Sequence, residues 1–326
     1  MKIQRIILVS FLLLLLAGTE TSAQQADNPK VLLEVLQNKE EAKSRMYKEF
    51  QENGNKFKDA KAFFLNEMGI VNTADKFLSV AKGKKKLEID VIRVGNIVES
   101  TVFNLYVGGA QLVSSEPAVS VQLLEEYFRA LASPQFSGLR LTASKDAYFI
   151  YAMALEYTGG DQTKIEAALQ EALTSGYGAE ACLRLQMIYL QRGDNDSAVR
   201  VADTVINSGT MKDAENAVRI FNFKAAALFN SGHYDKAYQA YVEADAKYPG
   251  NIEFMTGAGT SAMKQAIMKK SDPSTTRQWY QKALTYLKKA EKEFPDQSYL
   301  WGYPIWQCYN QLGDSVMAAK YKKYCE

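Results

Sequence analysis

Histidine is all but missing from this chain: His233 is the single one in 326 residues. Ser-His-Asp or Cys-His catalysis would have to run through that side chain. It stands directly after Gly232 in a turn between two helical patterns, a place that faces solvent. Motifs that need fixed spacings are absent as well. There is no phosphate loop, no glycine-rich dinucleotide fingerprint and no HExxH pair. The pairs Glu125-Glu126 and Glu291 with Glu293 fall on polar helix faces, and nothing singles out two carboxylates for glycoside hydrolysis. The chain is therefore expected not to be an enzyme, with no cofactor and no metal.

Cysteine is scarce. With Cys182, Cys308 and Cys325 only, at least one thiol stays unpaired within the chain. Cys308 and Cys325 fall on neighbouring helical patterns and could meet; the other pairings, or three buried thiols, are equally compatible with the spacing. An excess of one charge is lacking too, since the formal net charge is +2. Such a balance excludes bulk nucleic-acid binding, which needs many phosphate-neutralising cations. Long apolar runs are confined to residues 6–17. Lys2 and Arg5 precede that run and Thr21-Ser22-Ala23 follows it, the layout of a signal peptide over residues 1–23. A run this short does not cross a bilayer, which takes about 20 residues. No cysteine stands near the cleavage site to carry a lipid anchor. Export to a bacterial periplasm or the outer membrane is expected, with no transmembrane segment after cleavage.

Proline is rare, at seven residues, and what fills the chain is helical pattern. Residues 29–52 read as one helix with Asn28 as N-cap and Pro29 in the first turn. Residues 56–68 and 73–81 read as two more, followed by the basic loop Gly83-Lys84-Lys85-Lys86. Residues 24–87 thus form an N-terminal helical segment. Residues 88–113 and 117–132 make a degenerate hairpin within 88–143. From 144 onward hairpin follows hairpin.

The stretch from Phe221 to Pro249 shows the pattern at its plainest. Phe221, Ala225 and Leu228 share one face before Gly232; Ala237, Ala240, Tyr241, Ala244 and Tyr248 share one after it, and Pro249 stops the second helix. A glycine five residues before a small residue occurs at Gly193 and Ala198, at Gly232 and Ala237, and at Gly313 and Ala318. Seven residues beyond those alanines stand Val205, Ala244 and Cys325; Ala283 and Ala290 repeat the separation. Seven residues are two helical turns, so each pair lets two backbones approach along one face.

These residues resemble the tetratricopeptide repeat (TPR) family, whose units are helix-turn-helix hairpins of about 34 residues. Cys182, Leu185, Tyr189, Gly193 and Ala198 match one unit, Phe221 to Pro249 the next, and Ile305, Tyr309, Gly313 and Ala318 the last. Gln186 and Trp306 stand where the family has Gly or Ala, so those hairpins are expected to splay or rotate. Gly302 and Pro304 are expected to interrupt the last one. The resemblance implies an all-α chain of antiparallel hairpins stacked as a right-handed superhelix, an α-solenoid, over residues 144–326.

In such a stack the first helix of each pair lines the concave face. By the family's geometry that face receives Leu183, Met187, Leu190 and Gln191; Asn222, Ala226, Phe229 and Asn230; Met255, Gly259 and Met263; and Tyr303, Gln307, Asn310 and Gln311. Amides with methionine and aromatic side chains suit a peptide or partner helix. The expected function is an exported non-catalytic scaffold for protein–protein interaction in the cell envelope. The alternative is carbohydrate binding on the same scaffold, with Trp301, Tyr303 and Trp306 stacking on sugar rings.

Overall fold

The computed structural model describes residues 27–209, 211 and 213–325, so the expected signal peptide lies outside the described residues. Among those residues the chain is all-α, with fourteen helices: α1 Pro29–Glu52, α2 Ala60–Ala81, α3 Glu88–Leu112, α4 Pro117–Ala132, α5 Ala147–Tyr157, α6 Gln162–Thr174, α7 Gly178–Gln191, α8 Asn195–Ser208, α9 Ala214–Asn230, α10 Tyr234–Lys247, α11 Ile252–Met268, α12 Pro273–Glu293, α13 Ser298–Leu312 and α14 Ser315–Tyr321. No described helix is long and apolar enough to cross a membrane. Two compact units divide the chain within α6, one running to Ala168 and the other starting at Leu169.

In unit 1, consecutive helices from α1 to α5 pack on one another. The core is made of large groups: Phe63, Phe64, Ile70, Phe77, Val94, Val98, Leu105, Leu123 and Tyr127 are all buried. The sequence pattern gave two helices over residues 56–81, and the structure gives one. Gly69 and the β-branched Val71 and Thr73 fall inside α2 without breaking it. Ile70, Val71, Ala74 and Phe77 are fully buried there, and the Thr73 hydroxyl donates to the Gly69 carbonyl at 2.7 Å. Tertiary packing outweighs the weak local propensity.

In unit 2, consecutive helices from α7 to α14 form antiparallel hairpins, and the first helices α7, α9, α11 and α13 also touch in succession. This is the stacked-hairpin arrangement of an α-solenoid. Gly193, Gly232 and Gly313 have φ of 77°, 77° and 76°, the left-handed conformation that closes the first helix of each pair at no Cβ cost. The residue after two of them then caps the second helix. Asp194 accepts from the Ser197 N–H at 3.1 Å, and Asp314 from that of Met317 at 3.0 Å. Ala198, Ala237, Ala283 and Ala290 are fully buried and Ala318 nearly so.

Three features of unit 2 bear on what its sequence suggested. Gln186 is accommodated inside the stack. It is fully buried, its amide N–H donates to the Ile220 carbonyl at 3.2 Å, and its amide oxygen accepts from the Cys182 thiol. The side chain that is too long for close packing instead ties α7 to α9. Gly302 and Pro304 do not interrupt α13, which runs through both. The ring of Tyr324 lies against Gly302, occupying the space a Cβ would need. Finally, all three cysteines are free: α14 ends at Tyr321, leaving Cys325 exposed beyond it while Cys308 is buried. Burial pushes the Cys182 and Cys308 thiols up to about 12, so neither is a reactive thiolate at neutral pH.

Candidate partner-binding groove

The first helices of unit 2 leave a groove of about 580 Å³ on α9, α11 and the start of α13. It is lined by Phe229 of α9, by Ile252, Glu253, Thr256, Gly257 and Thr260 of α11, by Gln297, Tyr299 and Leu300 at the start of α13, and by Tyr241. The helix N-cap Asn251, which accepts from the Glu253 N–H at 2.8 Å, sets the start of α11 and with it the phase of that helix's lining. Tyr241 reaches the groove from the second helix α10 because Gly257 has no side chain: a Cβ there would come within 2.6 Å of the Tyr241 ring. Burial, then the nearby Glu253 carboxylate, raises the Tyr241 hydroxyl above its ordinary pKa, so it remains a neutral donor. Asn222 donates to the Glu253 carboxylate, which fixes that side chain at the rim. Phe229 is held edge-on by Tyr234, with ring centroids 5.0 Å apart.

The predicted residues divide by helix. On α7, Met187 and Gln191 are exposed, while Leu183 is buried in the stack. On α9, Asn222 and Phe229 are half-buried and Asn230 is exposed. On α13, Tyr303, Asn310 and Gln311 are exposed and Gln307 is half-buried. Helix α11 overturns its assignment. Met255 and Met263 are core residues, 0% and 6% exposed, and Gly259 lies beneath Leu287 of α12. The open strip is instead Glu253, Thr256, Gly257 and Thr260. The error is one residue of phase, a rotation of about 100°. Tyr241, a large residue on the second helix, takes the space left by Gly257, a pairing that the fold creates.

The aromatic cluster near residue 300 is likewise divided. Trp301 is 2% exposed, its indole N–H donates to the Phe294 carbonyl at 2.9 Å, and its ring meets Tyr324 edge-on. It closes the core and does not present a face to a sugar. Tyr303 and Trp306 remain adjacent, with ring centroids 5.5 Å apart and Tyr303 exposed. A second hollow, of about 530 Å³, was not foreseen from the sequence. It is bordered by the Asp203–Lys224 ion pair and by Trp279, over which Lys282 sits at 4.1 Å. Among the described residues no cluster of His, Cys, Asp and Glu is arranged to hold a metal ion.

No family model matches this chain, and no curated protein matches it. Among solved structures it is similar to the C-terminal part of a TPR repeat-containing protein from Cytophaga hutchinsonii. That likeness has 14% identity and a TM-score of 0.46, over 82% of this chain and 93% of that one. A human IFIT1 dimer with PPP-AAAA is similar at 16% identity and a TM-score of 0.31, over 82% of this chain and 72% of that chain. The hairpin stack stands on the packing described above rather than on these likenesses.

Proposed function

We propose that the chain is an exported, non-catalytic TPR-type scaffold of the bacterial envelope, and that its partner is a protein segment bound along α9, α11 and α13. The observation that carries this reading is the composition of the groove. Apolar groups (Phe229, Ile252, Leu300) alternate with hydroxyl and amide groups (Thr256, Thr260, Gln297). A peptide has both kinds of surface, side chains for the first and backbone amides for the second. A small charged metabolite would ask for an enclosed site with convergent charges, and Glu253 is the single ionised group of the lining.

The test is affinity capture from an envelope extract, with wild type and Thr260→Arg run side by side. Thr260 is half-buried on the groove wall, so arginine there fills the groove without entering the core. A protein retained by wild type and lost from the variant is the expected outcome. Equal recovery from both, or turnover of a small substrate by the purified chain, would overturn the reading. The exposed Tyr303 beside the half-buried Trp306 supports carbohydrate binding as a second reading, weakened by the burial of Trp301. Titration of tryptophan fluorescence with oligosaccharides decides that case, and a flat response across a broad panel ends it.

A further inference from the structure

Unit 1 carries a surface for which the groove has no use. Between α2 and α3 the chain runs Lys82-Gly83-Lys84-Lys85-Lys86, closing in a 3-10 turn over Lys85–Leu87. All four lysines are exposed, and among the described residues none is in an ion pair. Directly after them, on the first turn of α3, Ile89 is 84% exposed and Ile92 is 62% exposed. Ile89 is the barest large apolar residue among those described. The two isoleucines lie three residues apart, hence on one face, and the exposed Arg93 flanks them. Between loop and helix is a hollow of about 470 Å³, lined by Ala81, Val91, Gly83, three lysines (Lys82, Lys84 and Lys85) and one carboxylate, Glu88. Across residues 82–93 five cations face two carboxylates, Glu88 and Asp90.

The lysines alone would fit any polyanion. The isoleucines discriminate among them. A nucleic acid offers no aliphatic phase beside its charges, and an acidic peptide offers only the few apolar side chains it happens to carry. An anionic bilayer offers phosphates at the headgroup level and acyl chains just beneath, the two environments that stand side by side on this edge. We propose that this edge of unit 1 docks onto an anionic lipid surface, with Lys82 to Lys86 at the phosphates and Ile89 and Ile92 entering the acyl boundary. The hollow at Ala81 and Val91 then receives a headgroup between the lysine side chains. Attachment of this kind is peripheral and reversible, and it needs no membrane-spanning helix.

The experiment is cosedimentation of the full chain with vesicles of phosphatidylcholine alone, and of phosphatidylcholine mixed with phosphatidylglycerol. Binding to the mixed vesicles only, weakened by added salt, is expected. Replacing Lys84, Lys85 and Lys86 together with alanine should weaken it on the order of a hundredfold, since each lysine near the surface contributes roughly a factor of five. Ile89→Ser with Ile92→Ser should weaken it about tenfold or more with no change in charge. Every substituted side chain is exposed, so circular dichroism of the variants should match wild type. An independent probe is a fluorophore on Ile89→Cys in a Cys325→Ser background, whose emission should shift to the blue on the mixed vesicles only. No binding, equal binding to both vesicles, or an isoleucine variant that binds like wild type would overturn the proposal. The last result would point to a polyanionic macromolecule in place of a membrane.

Discussion

Unit 1 and unit 2 are both helical and both bury large side chains, Phe77 and Tyr127 in one and Phe221, Phe254 and Tyr321 in the other, yet the contacts between their helices differ. Helices α1 to α3 of unit 1 have 24, 22 and 25 residues, and rings and branched chains fill the space between the helices, with Phe63, Phe64, Phe77, Leu105 and Tyr127 at the centre. Helices α7, α8 and α10 of unit 2 have 14 residues each, and fully buried alanines stand at the hairpin contacts. Large residues need only to fill volume, and many arrangements do so. Small residues let backbones touch, which works only if they recur at fixed positions along each helix. The second solution writes a period into the sequence; the first does not.

The largest effect should come from emptying the large-residue core. Phe77→Ala removes a fully buried ring from unit 1 and should cost about 3–5 kcal/mol, read as a lowered urea midpoint. No alanine-to-glycine change in unit 2 should approach that loss, because a methyl leaves little to empty. The alanine contacts of unit 2 should be sensitive in the opposite direction. Ala237→Leu overfills the contact between the helices of the central hairpin and should cost about 1–3 kcal/mol. Ala246 is exposed on the same helix, and the same change there should stay within about 0.5 kcal/mol. Similar losses at positions 237 and 246 would contradict the close-packing account of unit 2.

This difference also explains what could be read in advance. The hairpins around Ala198, Ala237 and Ala318 were legible because a left-handed glycine and a buried alanine five residues on cannot be exchanged for other residues at little cost. The joining of residues 60–81 into a single helix was not legible. Nothing local favours helix across Gly69 to Thr73; contacts with distant residues do, and no short window contains them. Of the residues expected on the groove, Phe229 of α9 lines it, while α13 contributes Gln297, Tyr299 and Leu300 from its start in place of Tyr303, Gln307, Asn310 and Gln311. Helix α11 was misassigned because methionine serves a core as readily as a binding surface. Met255 and Met263 carry no mark of which role they fill. The true lining, Thr256 and Thr260, is spaced by one helical turn but is chemically plain, and the proximity of Tyr241 to Gly257 emerges only in three dimensions. The lysine loop was visible as a charge run, but the bareness of Ile89 and Ile92 was not.

Gln186→Ala tests whether a side chain foreign to the small-residue rule has become part of the stack. The change restores the small residue that close packing favours, and it deletes the bond to the Ile220 carbonyl and the contact with the Cys182 thiol. A loss of about 0.5–1.5 kcal/mol is expected, the usual worth of one buried neutral hydrogen bond. A gain in stability would mean that the hairpin is strained around the glutamine and that the simpler packing is better.

The smallest effect at acid pH, and the one that sharpens the comparison most, concerns a charge that only the large-residue core encloses in full. Glu67 on α2 is 0% exposed; Asn104 donates to one of its oxygens at 2.6 Å, Lys43 lies 3.1 Å from the same oxygen, and the other oxygen has no partner. Burial is the largest influence on its pKa and raises it above the ordinary 4.5, against the opposing pull of Lys43 and Asn104. A carboxyl with a raised pKa in the folded state binds its proton more tightly there than in the unfolded chain. Its contribution to stability is therefore complete below 4.5 and is lost as the pH climbs through the raised value. Glutamine has the shape of the protonated acid and never ionises. Glu67→Gln should match wild type in urea unfolding below pH 4.5 and become the more stable of the two as the pH rises through the folded-state pKa. A gap that opens the other way would show that the pairing with Lys43 outweighs the cost of burial, and that unit 1 is held in part by an ion pair instead of by its rings alone.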